Sequence, residues 1–263
     1  MTELRTRPHV LVLSGLDPSG GAGIQADIQA ITALGCHPLP VLSCVTVQDT
    51  RNVYGASTID PDIIRQQLAA VAEDSKIHAI KTGALGSAEV VDVLVDFIAR
   101  HPDIPLITDP VIKAAGGGDL ADEALIERMK QRLFPFAEML TPNGIELALL
   151  GNSDDPETAA GRLLESGCHS VLGTGGHGTG ADIINHLFVK DSAPKGFHVE
   201  RVGGEYHGTG CTLAAAIAAG RASGLGIEPA ISQAQNFVSR AIRHALRVGK
   251  GQPVPDRGIP WTN

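Results

Sequence analysis

Residues 9–35 read HVLVLSGLDPSGGAGIQADIQAITALG, and the change of hydrophobic period inside this stretch decides the fold. HVLVLSG is a short apolar run with the length of a buried strand. Glycines and a proline follow as a turn. Ile24, Ile28, Ile31 and Leu34 then recur on one helix face, and Gly35 stands where a helix would stop. Strand, glycine turn and helix in that order open a parallel sheet covered by helices.

The same alternation continues along the chain. PLPVLSCVTV (residues 38–47) reads as a second buried strand, and Pro61 with Asp60 as cap starts a helix over 60–74. IHAIKTG (77–83) is a strand, 87–100 a helix, IPLITDPV (104–111) a strand carrying Asp109, and 122–133 a helix after the loop AAGGGD. EMLTPN and HSVLGTGG read as two further strands, with helices at 144–150 and 156–165. Residues 183–202 break the pattern as a hairpin, and helices at 212–223 and 228–248 close it. No linker, low-complexity tract or long-period repeat interrupts the series, so one domain is expected over 1–263, with its core at about 10–248.

Composition limits what such a domain does. Twenty-one basic and twenty-nine acidic residues give a net charge of −8, which argues against general nucleic-acid or anionic-membrane binding. Only 3% of residues are aromatic, too few for a platform that stacks single-stranded bases. A small-molecule partner is expected. The first apolar run is too short for a signal-peptide core, and no segment reaches the length of a membrane span. Cys36, Cys44, Cys168 and Cys211 show no zinc-type pairing. A cytoplasmic location with reduced thiols is the expectation.

Polar clusters fall where strands of a parallel sheet end, the place such sheets bind ligands. They are SGLDPSGGAGIQAD, VQDT, DPV, TPNGIE and GTGGHGTG. Each has a structural reading: tight turns for the glycines, a cap for Asp109, an answer to the helix dipole for Glu146. The glycines of the first turn lack the GxGxxG spacing of dinucleotide folds, and no GxxxxGK[ST] loop exists. The best phosphate cradle is HGTGCTLAAAIAAG (207–220), where glycines give way to a helix of small apolar residues. The N–H groups of a helix start are unpaired and favour an anion. Cys211 sits at that junction, where the dipole is expected to lower a thiol pKa towards neutrality.

GLDPSGGAGIQADIQAITALG, VTVQDT, DPV, TPNGIE, TGGH and HGTGCTLAAAIA, in that order, resemble the bacterial hydroxymethylpyrimidine and phosphomethylpyrimidine kinases of thiamine biosynthesis, members of the ribokinase-like superfamily. The likeness runs from about Val10 to Val248. It implies a ribokinase-like α/β fold, a mainly parallel sheet flanked by helices with little or no lid, and a homodimer. It implies phosphorylation by ATP with Mg²⁺ of 4-amino-5-hydroxymethyl-2-methylpyrimidine and of its monophosphate. Gly15, Asp27 and Gln48 match the positions that hold the pyrimidine, whose ring nitrogen and amine suit an amide and a carboxylate. Asp109 and Glu146 match the metal region, with Asn143 and Thr174 in the ATP phosphate region. Gly208, Thr209 and Gly210 match the anion hole, and Cys211 its base.

Three positions depart from the family pattern. Thr174 stands where many members have a phosphate-facing lysine, Ala84 where many have methionine, and IKAAGGG replaces VAKSG, moving a lysine to Lys113. A pyridoxal or pyridoxine kinase of the same fold is the alternative enzyme, and the missing lysine raises a non-catalytic pyrimidine-binding protein as a second alternative. His177 and His207 read as turn residues, or as residues that support the contact groups, rather than as ligands.

Overall fold

The computed structural model describes residues 6–113, 118, 120–175, 180 and 182–259. Nine strands form one sheet in the order β3-β2-β1-β4-β5-β6-β7-β8-β9. They are β1 (His9–Leu16), β2 (His37–Gln48), β3 (Val53–Thr58), β4 (Ala79–Thr82), β5 (Leu106–Thr108), β6 (Met139–Leu140), β7 (Ser170–Gly173), β8 (Asp182–Val189) and β9 (Lys195–Glu200). The run from β2 to β7 is parallel. β3, β8 and β9 pair antiparallel at the two edges.

Successive residues of a strand face opposite sides, so one sequence supplies two cores. Leu11, Leu13, Ile80 and Leu140 pack beneath α2 (Pro61–Asp74), α3 (Ala88–Ile98), α5 (Gly144–Gly151) and α6 (Pro156–Glu165). Val10, Val12, Ala79, Ile107 and Leu172 face α1 (Gly23–Ala33), α7 (Thr209–Ala222) and α8 (Ile227–Arg243). α7 lies between α1, α8 and the strands β4 and β5. Its small residues make that possible: a side chain at Gly220 would already touch Ala230 at 3.0 Å.

Several elements differ from the sequence reading. β3 lies unannounced between two expected elements, because its half-exposed YGAST pattern carries no apolar run. The helix expected over 122–133 is α4 (Glu123–Arg128), capped by Asp122, followed by a π-turn over Met129–Leu133 and a 3₁₀ turn over Phe134–Phe136. The helix expected to reach Val248 ends at Arg243, and the chain turns back so that Leu246 pairs with Val254. Gly249 and Gly251 press against Thr50 too closely for any side chain there. Most of the AAGGGD loop and His177 lie outside the described residues.

The chain runs from β1 outward to β2, then returns to place β4 on β1's other side. This reversal opens a crevice at the carboxyl ends of β1 and β4. The turn after β1 is closed by Gly23, at φ +59°, where a Cβ would lie 2.3 Å from the Gly15 carbonyl oxygen. Gly23→Ala should lower stability by about 2–3 kcal/mol, from left-handed strain and backbone contact together; a denaturant midpoint equal to wild type would contradict this.

Candidate active site

At the crevice, Asp17 organises the turn after β1. Its carboxylate accepts the N–H groups of Ser19 (2.8 Å) and Ala22 (2.9 Å) and lies 2.7 Å from His207 Nε2. Burial pushes its pKa up, but the hydrogen bonds from His207 and Ser19 more than reverse this, so it is lowered. The same imidazole nitrogen lies 3.0 Å from the Gln48 amide. Facing an ionised Asp17, that nitrogen carries its proton. It therefore meets Gln48 best through Oε1, with the amide NH₂ turned to Thr46 Oγ1. The Thr46 hydroxyl, 3.1 Å from Gln48, donates to the Leu16 carbonyl at 2.8 Å and keeps a lone pair for that NH₂. Gln48 is thus oriented by its neighbours.

Deeper in the crevice Lys81, on β4, sits with its ammonium 2.8 and 2.9 Å from the two Asp27 oxygens. Both side chains are fully buried. Asp27, matched by resemblance to the pyrimidine, is therefore spent on Lys81 and lines no opening in this state. Burial raises the pKa of Asp27 against the pull of Lys81. For Lys81 burial acts downward, and the buried carboxylates of Asp27 and Asp109 outweigh it, so the ammonium is held firmly. The two directions agree once the charges are counted: Lys81 is shared among more acid than it can neutralise.

Asp109, at the end of β5, and Glu146, in the first turn of α5, supply the remaining acid. Asn143 caps α5, and Glu146 completes a capping box: the Asn143 side chain accepts from the Ile145 and Glu146 N–H groups at 3.0 Å, and Glu146 Oε2 accepts the Asn143 N–H at 2.9 Å. Glu146 Oε1 faces the Ile112 N–H at 3.4 Å. Burial and the neighbouring Asp109 push Glu146 up to about 8. Burial also raises Asp109, opposed by Lys81. Thr174 follows β7, donating its N–H to the Pro142 carbonyl at 3.0 Å and bridging to Asn143. The dipole reading of Glu146 holds, since its carboxylate closes the capping box of α5.

Gly208 opens α7 in the left-handed conformation, φ +84°, and no side chain caps the helix. The Thr209, Gly210 and Cys211 N–H groups belong to the first turn, which has no intrahelical acceptors. Cys211 is half-buried at this junction. Its pKa corrects the sequence expectation: burial and the charge of Asp109 push the thiol up to about 12, against the opposing Lys81. The helix dipole does not overcome a buried carboxylate beside the sulfur. At neutral pH this thiol is protonated.

An open cleft of about 550 Å³ lies at the Gln48 end, lined also by Ser19, Thr50, Arg51 and Lys250. Asp109, Glu146 and Cys211 do not line it. The residues thus fall into an open amide end and a closed acidic end with a thiol and a glycine turn between. Among the described residues no group of three or more His, Cys, Asp or Glu side chains stands ready for a metal, and no helix is long and apolar enough to cross a membrane.

Residues 17–255 match the family model for phosphomethylpyrimidine kinase. The chain belongs to the phosphomethylpyrimidine kinase family. It is 38% identical over 259 residues to a hydroxymethylpyrimidine/phosphomethylpyrimidine kinase of Streptomyces coelicolor, covering 96% of this chain and 95% of that one. It is 37% identical to the thiamine biosynthesis bifunctional protein of Geobacter sulfurreducens, covering 93% of this chain but spanning only 51% of that protein's length. Among solved structures, the phosphomethylpyrimidine kinase of Clostridium difficile superposes with a TM-score of 0.77 at 30% identity, over 89% of this chain and 99% of that one. The pyridoxal kinase of Staphylococcus aureus in complex with AMP-PCP and pyridoxal superposes with a TM-score of 0.87 at 25% identity, over 97% and 94%. Pyridoxal kinases are thus neighbours in fold, and the ribokinase-like architecture is common to both.

The sequence reading passed over two residues of this crevice, Asp17 and Lys81. Lys81 had a signal: a lysine inside a parallel strand whose every residue is buried is anomalous unless a carboxylate waits for it. Lys81→Met should destabilise the protein by about 3–5 kcal/mol, the scale for breaking a buried pair and stranding one charge. Asp27→Leu added to it should recover much of that loss. Urea unfolding of both variants checks this; equal stability of the single and double variants would contradict it.

Proposed function

We propose that this kinase transfers the terminal phosphoryl group of ATP, with Mg²⁺, to the hydroxymethyl oxygen of 4-amino-5-hydroxymethyl-2-methylpyrimidine, and then to the phosphate of the monophosphate so formed. The observation that carries the reading is the uncapped glycine turn of α7 set beside Cys211, at the crevice that also gathers Asp109 and Glu146. In each step a bond forms between the acceptor oxygen and the γ-phosphorus, and the bond from that phosphorus to the β–γ bridging oxygen breaks. Charge develops on the transferring group. The Thr209 and Gly210 N–H groups, beside Gly208, supply fixed donors for it.

Gln48 is the group for the pyrimidine's ring nitrogen and amine, since its amide is oriented by His207 and Thr46; Gly15 would contribute backbone to the same ligand. Asp109 and Glu146 are the residues to hold Mg²⁺. Hard carboxylate oxygens fit that ion, which binds through one or two carboxylates plus substrate phosphates, and the surplus of acid over Lys81 gives it an electrostatic reason to enter. Bound there it would neutralise phosphate charge. Asn143 and Thr174, paired to each other, would serve the ATP phosphates beside it. A dimer and a cytoplasmic location belong to the same reading; sedimentation as a monomer at micromolar concentration would remove the dimer alone.

Cys211 has different work in the two steps. The alcohol must lose a proton, whereas the monophosphate is already ionised near neutral pH. Because the unliganded thiol is protonated, taking that proton requires the thiol to lose its own first. Cys211→Ala should lower kcat on the alcohol by about 10²–10⁴-fold with little change in the pyrimidine KM, and lower kcat on the monophosphate less. Equal losses would count against proton removal.

ADP release with each acceptor tests the function directly. Turnover of both pyrimidines is expected, and turnover of pyridoxal alone would overturn the assignment. Glu146 gives a second test. Below pH 8 it is protonated, so Mg²⁺ binding with a nucleotide should release a proton, and the release should fade as pH rises above 8. Calorimetry in buffers of different ionisation heat reads it; release that persists in Glu146→Gln would contradict the role.

A further inference from the structure

The resemblance and the family-model match both stop before Arg257, yet this residue is 2% exposed and touches both glycine turns of the site. It comes from the segment after α8. That segment folds back over the crevice: Gln252 N–H bonds the Thr50 carbonyl (3.0 Å), the Pro253 carbonyl accepts the His207 N–H (2.9 Å), and Asp256 N–H bonds Ala241 at the end of α8 (3.0 Å). From there the guanidinium donates Nε–H to Thr212 Oγ1 at 2.8 Å, Nη2 to the Gly21 carbonyl at 2.6 Å and to the Gly208 carbonyl at 3.4 Å, and Nη1 to Gln29 at 3.3 Å.

The consequence follows from the rigidity of the peptide plane. No cis peptide bond occurs among the described residues, so the N–H of Thr209 points opposite to the carbonyl of Gly208 in the same plane. The Gly208 carbonyl is held by Arg257, by the Thr212 hydroxyl at 2.6 Å and by the Thr212 N–H at 3.0 Å. Fixing that oxygen on the protein side fixes the Thr209 N–H on the crevice side. The Gly21 carbonyl shares its plane with the Ala22 N–H, which donates to Asp17. One planar fork therefore locks a peptide in each turn. A lysine has the charge but not the fork.

We propose that Arg257 is a positioning residue for phosphoryl transfer, holding the α7 turn so that its N–H donors face the transferring group. The inference rests on the kinase reading above. Its target is the phosphoryl group, which both reactions share, so its loss should affect both acceptors alike, unlike the loss of Cys211.

Arg257→Gln should lower kcat by about 10²-fold, the scale of a small misplacement of catalytic groups, equally with the alcohol and the monophosphate, and leave the pyrimidine KM unchanged. Millimolar guanidinium chloride should restore part of that rate where equal sodium chloride does not, and Arg257→Lys should fold yet stay slow. If Arg257→Gln does not fold, Thr212→Val takes its place, because it removes the hydroxyl linking the guanidinium to Gly208, and the same kcat loss is expected. Folded variants with wild-type kcat, or a loss confined to KM or to one acceptor, would overturn the proposal. A wild-type protein that releases no ADP with either pyrimidine would instead sink the functional reading, so the two failures are distinguishable.

Discussion

The site depends on one close approach: the turn before α7 lies directly against the turn after β1. A Cβ on Gly208 would fall 1.9 Å from the Gly21 carbonyl oxygen, and one on Gly21 would fall 2.4 Å from the His207 ring. No side chain fits between them. Glycine at both positions lets two backbone turns meet at the topological switch of the sheet, with Gly208 in the left-handed conformation that glycine adopts without penalty. The candidate site is arranged around that meeting, with Asp17 and His207 on one side, Arg257 behind, and the first-turn N–H groups of α7 in front.

Charge is unevenly distributed at this junction. Asp27 and Asp109 both draw on the buried ammonium of Lys81, Glu146 lies beside Asp109, and burial raises all three carboxylates. An excess of buried acid is unfavourable until a cation or a proton enters. The thiol of Cys211 feels the same excess and stays protonated. The expected activation of a helix-terminal cysteine therefore fails here for a local reason: the dipole supplies a fraction of a charge, while Asp109 supplies a whole one nearby in a poorly hydrated place.

Much of this was legible in the residues. The switch between periods two and 3.6 found nearly every buried strand and the helices between them, because apolar faces dictate both. β3 was illegible because an edge strand buries too little to show a pattern. The end of α8 was misplaced because Arg243 to Val248 keeps helix-forming composition, and only contact with Thr50 and Val254 turns it away. Gln48, Asp109, Glu146 and Cys211 were singled out as candidates through short motifs at strand ends. Lys81 and Arg257 were not, since each is defined by a partner far away in sequence, Asp27 for one and the carbonyls of Gly21 and Gly208 for the other.

The central claim is that the α7 turn receives the transferring phosphoryl group beside Cys211. A crystal structure with a non-hydrolysable ATP analogue, Mg²⁺ and the hydroxymethylpyrimidine tests it most directly. The account predicts the γ-phosphate within hydrogen-bond distance of the Thr209 and Gly210 N–H groups, and the hydroxymethyl oxygen between that phosphorus and Cys211 Sγ. A γ-phosphate seated elsewhere, with the turn facing only solvent, would contradict it.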